Sequence, residues 1–257
     1  MIFRPAFYRT LLAIFLLTAS WGSAAMAEPA KPPALDPAAD KLFGNMCEAL
    51  GSANAFSFHA EVLFEQVLPS AVKVQYAGAM DFSLQRPGEL AVNYRSDTGA
   101  KELWYGDGKL TLFDPRYDMY ATIAVPGTID AMLDEVAQKQ GLTMPLSDLA
   151  FSNPCVRPRK IAIYSGYMGV NDVNGVPCDH LAFSSADNDF QIWVQHSGKP
   201  VPRKIVINHR TEPGSPEYIA VLSDWKFPAE ISATRFQPDL PRDAKRIEFL
   251  KVKESKP

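Results

Sequence analysis

The sequence predicts an α+β fold that is mainly antiparallel β. Three observations carry this. Six consecutive runs of alternating apolar and polar residues lie between Phe56 and Val125. A single helical insertion follows Pro126, and a second group of strand-like runs occupies Tyr167 to Phe227. Strands joined by turns this short pair with their sequence neighbours as an antiparallel meander, and an amphipathic insertion must bury its stripe against the sheet.

In order, the chain opens with a positive n-region (Arg4, Arg9), an apolar run from Leu11 to Leu17 and a small-x-small site, Ala25-Met26-Ala27. This reads as a secretory signal peptide over residues 1–27, cleaved after Ala27, and it is too short to span a bilayer. Export points to the periplasm. Residues 28–35, rich in Pro and Ala, read as a disordered leader, residues 36–250 as a single domain and residues 251–257 as a tail. Asp36-Pro37 starts a helix as cap and first residue, and Leu42, Phe43, Met46, Cys47 and Leu50 fall on one face before Gly51.

The first strand alternates Phe56, Phe58, Ala60, Val62 and Phe64 with a polar face that includes His59. Ala71 to Gln85 alternates for so long that it is expected to bend, with Gly78 as the kink, so that the sheet becomes strongly curved or a partial barrel. Leu90, Val92 and Tyr94 share a face in the next run, and a hairpin turns through Gly106-Asp107-Gly108. Asp114-Pro115-Arg116 turns into Tyr117 to Val125. Thr128 then caps a helix with Ile129, Met132, Leu133 and Val136 on its apolar face, closed by Gly141. A short helical piece is expected at Leu146 to Phe151. After the Asn174-Gly175 turn, three strands run to Ile207, a fourth covers Glu217 to Phe227, and a last short strand is expected near Lys245 to Leu250.

The chain has 257 residues and 28.4 kDa, with 47% hydrophobic and 21% charged residues and a formal charge of −3. No block of like charge gives a nucleic-acid footprint. No P-loop, dinucleotide, G-x-S-x-G or zinc pattern is present, so the sequence calls for no cofactor and no metal. Asp107, Asp114 and Asp118 punctuate turns without calcium-loop spacing. Of Cys47, Cys155 and Cys178, the pair Cys155–Cys178 is the preferred disulfide, although connectivity is not readable from sequence; Cys47 reads as a small buried side chain. Cys178 and His180 share a face at i, i+2, but same-strand spacing does not assure contact and no oxyanion-hole motif accompanies them. A structural role is favoured over a catalytic one.

What remains is a curved apolar sheet and an amphipathic helix. If the sheet encloses a cavity, an acyl chain is a suitable guest, since each buried methylene contributes about 0.8 kcal/mol and no catalytic machinery is needed.

Several runs resemble a family of predicted periplasmic proteins of undefined function, placed in the LolA/LolB lipoprotein-carrier superfamily. They include Trp104 to Pro115, Tyr120-Ala121-Thr122, Pro126 to Asp130, Gly175 to Phe183, Gln191-Ile192-Trp193, Pro200 to Lys204, Leu222 to Trp225 and Ile247-Glu248-Phe249. The similarity covers Asp36 to Leu250. It implies an unclosed antiparallel barrel of about eleven strands with helices capping a hydrophobic cavity. The expected function is that of a monomeric, non-enzymatic periplasmic binder or carrier for a lipid or lipoprotein acyl chain, with a lipoprotein or a membrane component as partner. Met80, Phe82, Leu84, Val92 and Tyr94 are its candidate sheet positions, and Ile129, Met132, Leu133 and Val136 its lid face. The alternatives are an envelope sensor or interaction module with a filled core and, third, a Cys178/His180 enzyme.

Overall fold

A computed structural model describes residues 35–228 and 230–249 of the chain. The signal segment with its cleavage site, the leader before Leu35 and the tail lie outside the described residues.

Helix α1 (Pro37–Gly51) begins where expected: Asp36 is its N-cap, and its carboxylate accepts a hydrogen bond from the Ala38 amide. The first meander is β1 (Ala55–Val67), β2 (Lys73–Gln85), β3 (Glu89–Ser96), β4 (Gly99–Gly106), β5 (Lys109–Asp114) and β6 (Met119–Ala124). The insertion holds α2 (Ile129–Gln140), a 3₁₀ turn (Ser147–Ala150) and α3 (Val156–Ile161). The second meander is β7 (Tyr164–Val173), β8 (Val176–Ser184), β9 (Asn188–Gln195), β10 (Pro202–His209) and β11 (Glu217–Lys226). A two-residue strand, β12 (Lys245–Arg246), ends the described chain and pairs in parallel with β6.

All twelve strands form one sheet in the order β12-β6-β5-β4-β3-β2-β1-β11-β10-β9-β8-β7, which is not closed. The seam between the meanders is β1 with β11, paired antiparallel. This order explains the insertion. β6 lies near one edge of the sheet and β7 forms the other, so the connection between them has to travel the width of the sheet. The helix with an apolar stripe is in that connection, and Ile129, Met132, Leu133 and Val136 join the core residues of β1 to β4 in one buried cluster. The guanidinium of Arg86 ties the insertion down by donating to the carbonyls of Ala53, Ala150 and Phe151.

Tight turns follow their sequence signals. Asn174 and Gly175 both take positive φ, 51° and 82°, as a two-residue turn between β7 and β8 requires, and Asp107-Gly108 does the same between β4 and β5. The β1–β2 ladder runs from Ala55↔Gln85 to Val67↔Lys73 without a register shift. Gly78, in the middle of β2, is a point of close approach. A Cβ on it would lie 2.7 Å from the Arg95 carbonyl oxygen and 2.8 Å from the Ser96 Cβ.

The disulfide corrects an expectation. Cys47 of α1 bonds Cys155 at the start of α3, and Cys178 is free. The sheet explains why. Cys178 packs with Trp193 and Val206 in a cluster on the outward face, whereas Cys47 and Cys155 belong to the main core on the other face.

Candidate functional site

The inward face of the first meander is a set of cross-strand rows, each made by residues that the register places side by side. The first row is Leu84, Leu90, Tyr105 and Leu110. It is fully buried, and the Tyr105 hydroxyl donates to the Pro126 carbonyl at 2.7 Å where the insertion begins. The next row, two residues along each strand, is Phe82, Val92, Leu103 and Leu112. The third is Met80, Tyr94 and Lys101.

Over the second and third rows the core stops being filled. A cavity of about 400 Å³ lies there, within the range of small-molecule sites. Its walls are Phe64, Met80, Phe82, Leu90, Val92, Tyr94, Leu103, Leu112 and Tyr218, and Thr98, Lys101 and Ser147 supply the polar lining. Leu142, Thr143, Met144 and Pro145 cover it. Gly141 ends α2 in the left-handed conformation, and the cover follows it directly. Leu142 and Met144 are half-buried there while Thr143 and Pro145 are exposed, so alternate side chains close the opening. A neighbouring hollow shares Lys101, Leu112 and Leu142 with the cavity and continues past Met119 to Ile247 and Phe249.

The electrostatics are confined to the polar side of the cavity. Lys101 is on the inward face and pairs with Asp114. Burial raises the Asp114 pKa, but the bonds from Lys101 and from the Arg116 amide outweigh it and hold the carboxyl below its ordinary range. Tyr218 is 8% exposed, and its hydroxyl has no hydrogen-bond partner among the described residues. Burial, then the nearby Tyr94, push its pKa up.

Of the nine side chains expected to touch a ligand, four come together here: Met80, Phe82, Val92 and Tyr94. The other five do not line the cavity. Leu84 is one row too far along, in the part of the face that the buried core fills. Ile129, Met132, Leu133 and Val136 are between 0% and 6% exposed and pack into that same filled core. The cover is the segment after α2, not α2 itself. Leu103, Leu112 and Tyr218 were missed; each sits on the apolar face of an alternating strand, but only the register shows that they share a row or a corner. The cover was missed because Leu142-Thr143-Met144-Pro145 has no helical or turn signal of its own.

Cys178 and His180 both face outward. The thiol is buried, contacts the Val176 carbonyl oxygen at 3.3 Å, and burial pushes its pKa up to about 11. The His180 ring bonds Asn171 and Gln191 at 3.0 and 2.9 Å and stacks on Trp193 with centroids 4.0 Å apart. Burial lowers its pKa. Trp193 therefore belongs to the outward face, while Leu181 and Phe183 face the core.

On the outward face a more open groove, half polar, is lined by Ser57, His59, Asp81, Ser83, Asp224, Lys226 and Arg235. The His59 ring bridges Asp81 at 2.8 Å and Glu61 at 3.1 Å. Among the described residues no group of three or more His, Cys, Asp or Glu is arranged to hold a metal ion. No helix among them is long and apolar enough to cross a membrane.

Comparison with solved structures finds similar folds at low identity. The lipoprotein LppX of Mycobacterium tuberculosis is 12% identical, with 77% of this chain and 98% of that one covered and a TM-score of 0.48. The LolA superfamily protein NE2245 of Nitrosomonas europaea is 12% identical over 78% of this chain and 98% of that one, with a TM-score of 0.39. A chain of the Pseudomonas aeruginosa MucA/MucB complex is 12% identical over 78% of this chain and 61% of that one, at 0.42. No curated protein matches the chain. The model of one family, described as predicted periplasmic protein (DUF2092), matches residues 39–250. The chain belongs to that family of predicted periplasmic proteins, in agreement with the export signal read from its first residues.

Proposed function

We propose that this protein is a periplasmic binding or carrier protein for a hydrophobic ligand, a lipid or a lipoprotein acyl chain, held under residues 142–147. The observation that carries the reading is the cavity of about 400 Å³ among the buried apolar side chains of the inward face. A gap among large apolar side chains forfeits dispersion contacts and burial, so a fold that keeps one gives up stability. An apolar guest restores those contacts, at about 0.8 kcal/mol per buried methylene. A monomer suffices, because the walls and the cover come from one chain. A partner that delivers or receives the ligand, a lipoprotein or a membrane component, would act at residues 142–147.

The reading of a module with a filled core has the cavity against it. We assign no catalytic step to Cys178 and His180: with a thiol pushed up to about 11, the thiolate that a nucleophile needs is scarce at neutral pH.

The test is native mass spectrometry of protein isolated from the periplasm, with lipid extraction of the same sample and titration with a fluorescent fatty acid. A co-purified or exchangeable apolar ligand in one-to-one ratio is the expected result. A protein that carries none and fails to bind the fluorescent fatty acid would sink the reading.

A further inference from the structure

The cavity is largely apolar, and one of the polar groups in its lining is buried without a partner among the described residues. Tyr218 sits on β11 beside Phe64 of β1 in the strand register, at the seam between the two meanders. It is more than nine-tenths buried and lines the cavity, yet its hydroxyl is without a hydrogen-bond partner among the described residues. Buried hydroxyls are nearly always paired, and an unpaired one costs about 1–3 kcal/mol. A phenylalanine would have the same shape without that cost. Thr98, Lys101 and Ser147 also line the cavity, but Lys101 already has its carboxylate in Asp114.

We propose that Tyr218 is a ligand-binding residue that donates its hydroxyl hydrogen to an oxygen carried by the ligand inside the cavity. This rests on the reading of the cavity as a hydrophobic binding site and narrows its occupant. The guest is an oxygen-bearing acyl compound, an ester above all, and not a plain hydrocarbon. An ester carbonyl suits the position because it accepts a hydrogen bond, carries no charge to desolvate and lies between two apolar segments. The apolar walls then set the affinity, and Tyr218 sets which part of the chain stops at the seam.

The experiment compares two neutral probes, methyl tetradecanoate and a linear alkane of the same chain length, as competitors of a bound fluorescent fatty acid. Both are titrated against the wild-type protein and Tyr218→Phe. One lost hydrogen bond predicts weakening of the ester by about three- to tenfold in the variant, with the alkane unchanged. Thermal unfolding without ligand provides the second measurement. The variant is expected to melt at the same temperature or higher, because it loses an unpaired hydroxyl, and its melting temperature should rise less than that of the wild type when ester is added. Equal effects of Tyr218→Phe on both probes, or no effect on either, would overturn the assignment while leaving the cavity as a binding site; so would a bound water on the hydroxyl that persists with the ester in place. Failure of both probes and of the fluorescent fatty acid to bind the wild type would overturn the binding site itself.

Discussion

Leu84 and Val92 differ in a way that a single substitution can measure. Both lie on the inward face, but Leu84 is enclosed in filled core and Val92 borders the cavity. Val92→Trp is expected to fit into the open volume, keep stability within about 1 kcal/mol and weaken fatty-acid binding by more than about tenfold. Leu84→Trp has no such room and should cost about 1–3 kcal/mol or more. Urea unfolding with parallel ligand titration checks both, and equal destabilisation would mean that no usable cavity exists. His59 supports a prediction about pH. Hydrogen bonds that its ring donates to Asp81, then to Glu61, raise its pKa above the ordinary 6.5, against a smaller effect of burial. A raised folded value means that its contribution is fully present below the unfolded value and is lost as pH rises through the folded one. His59→Gln should therefore lower the melting temperature most below about pH 6 and least above about pH 8. A uniform drop across that range would show that the ring acts by packing alone. The polar-face position of His59 was legible from its place in the alternation. Its two carboxylate partners were half legible: Glu61 is two residues away, but Asp81 is beside it only through the β1–β2 register.

Among the elements, α1, α2 and most strands were legible because local chemistry writes them: Asp36-Pro37 and Thr128 as starts, Gly141 as a stop, Asn174-Gly175 as a turn. The disulfide was not, because pairing depends on which face of the sheet each cysteine occupies. Cys47 and Cys155 are 108 residues apart in sequence, so their bond restricts a very long loop in the unfolded chain. By the chain-entropy relation such a loop corresponds to about 4–5 kcal/mol. Replacing both by serine is expected to lower stability by about 3–5 kcal/mol and to loosen α1 from α3, where Arg159 also pairs with Asp40 at 2.6 Å. The melting temperature with and without reductant checks this, and a wild type indifferent to complete reduction would refute it. Cys178, free and buried, should contribute nothing to the difference.

On the scale of the whole molecule, the β1–β11 seam decides cooperativity. The two meanders share one core through it, with Phe56, Phe58, Ala60 and Val62 of β1 in the same cluster as Ala220 and Leu222 of β11. Trp104 in the first meander and Trp193 in the second report on different halves. Variants retaining only one of these tryptophans should show the same urea midpoint, each coincident with the loss of sheet signal by circular dichroism. Two separated midpoints would mean that the halves unfold independently. The same seam brings Tyr218 and Phe64, residues of opposite ends of the sequence, to one cavity.

By itself the sequence determined the class of fold, the alternation of faces, and the caps and turns. These depend on interactions between residues a few positions apart, where periodicity and backbone preference act directly. Only the tertiary structure decided that β11 pairs β1, that Cys47 meets Cys155, that the apolar face of α2 fills the core, and that residues 142–147 cover what remains open. Each of these rests on the order and register of strands far apart in sequence. Period-two alternation says which face a side chain takes, but not how far along the sheet it lies or what packs above it.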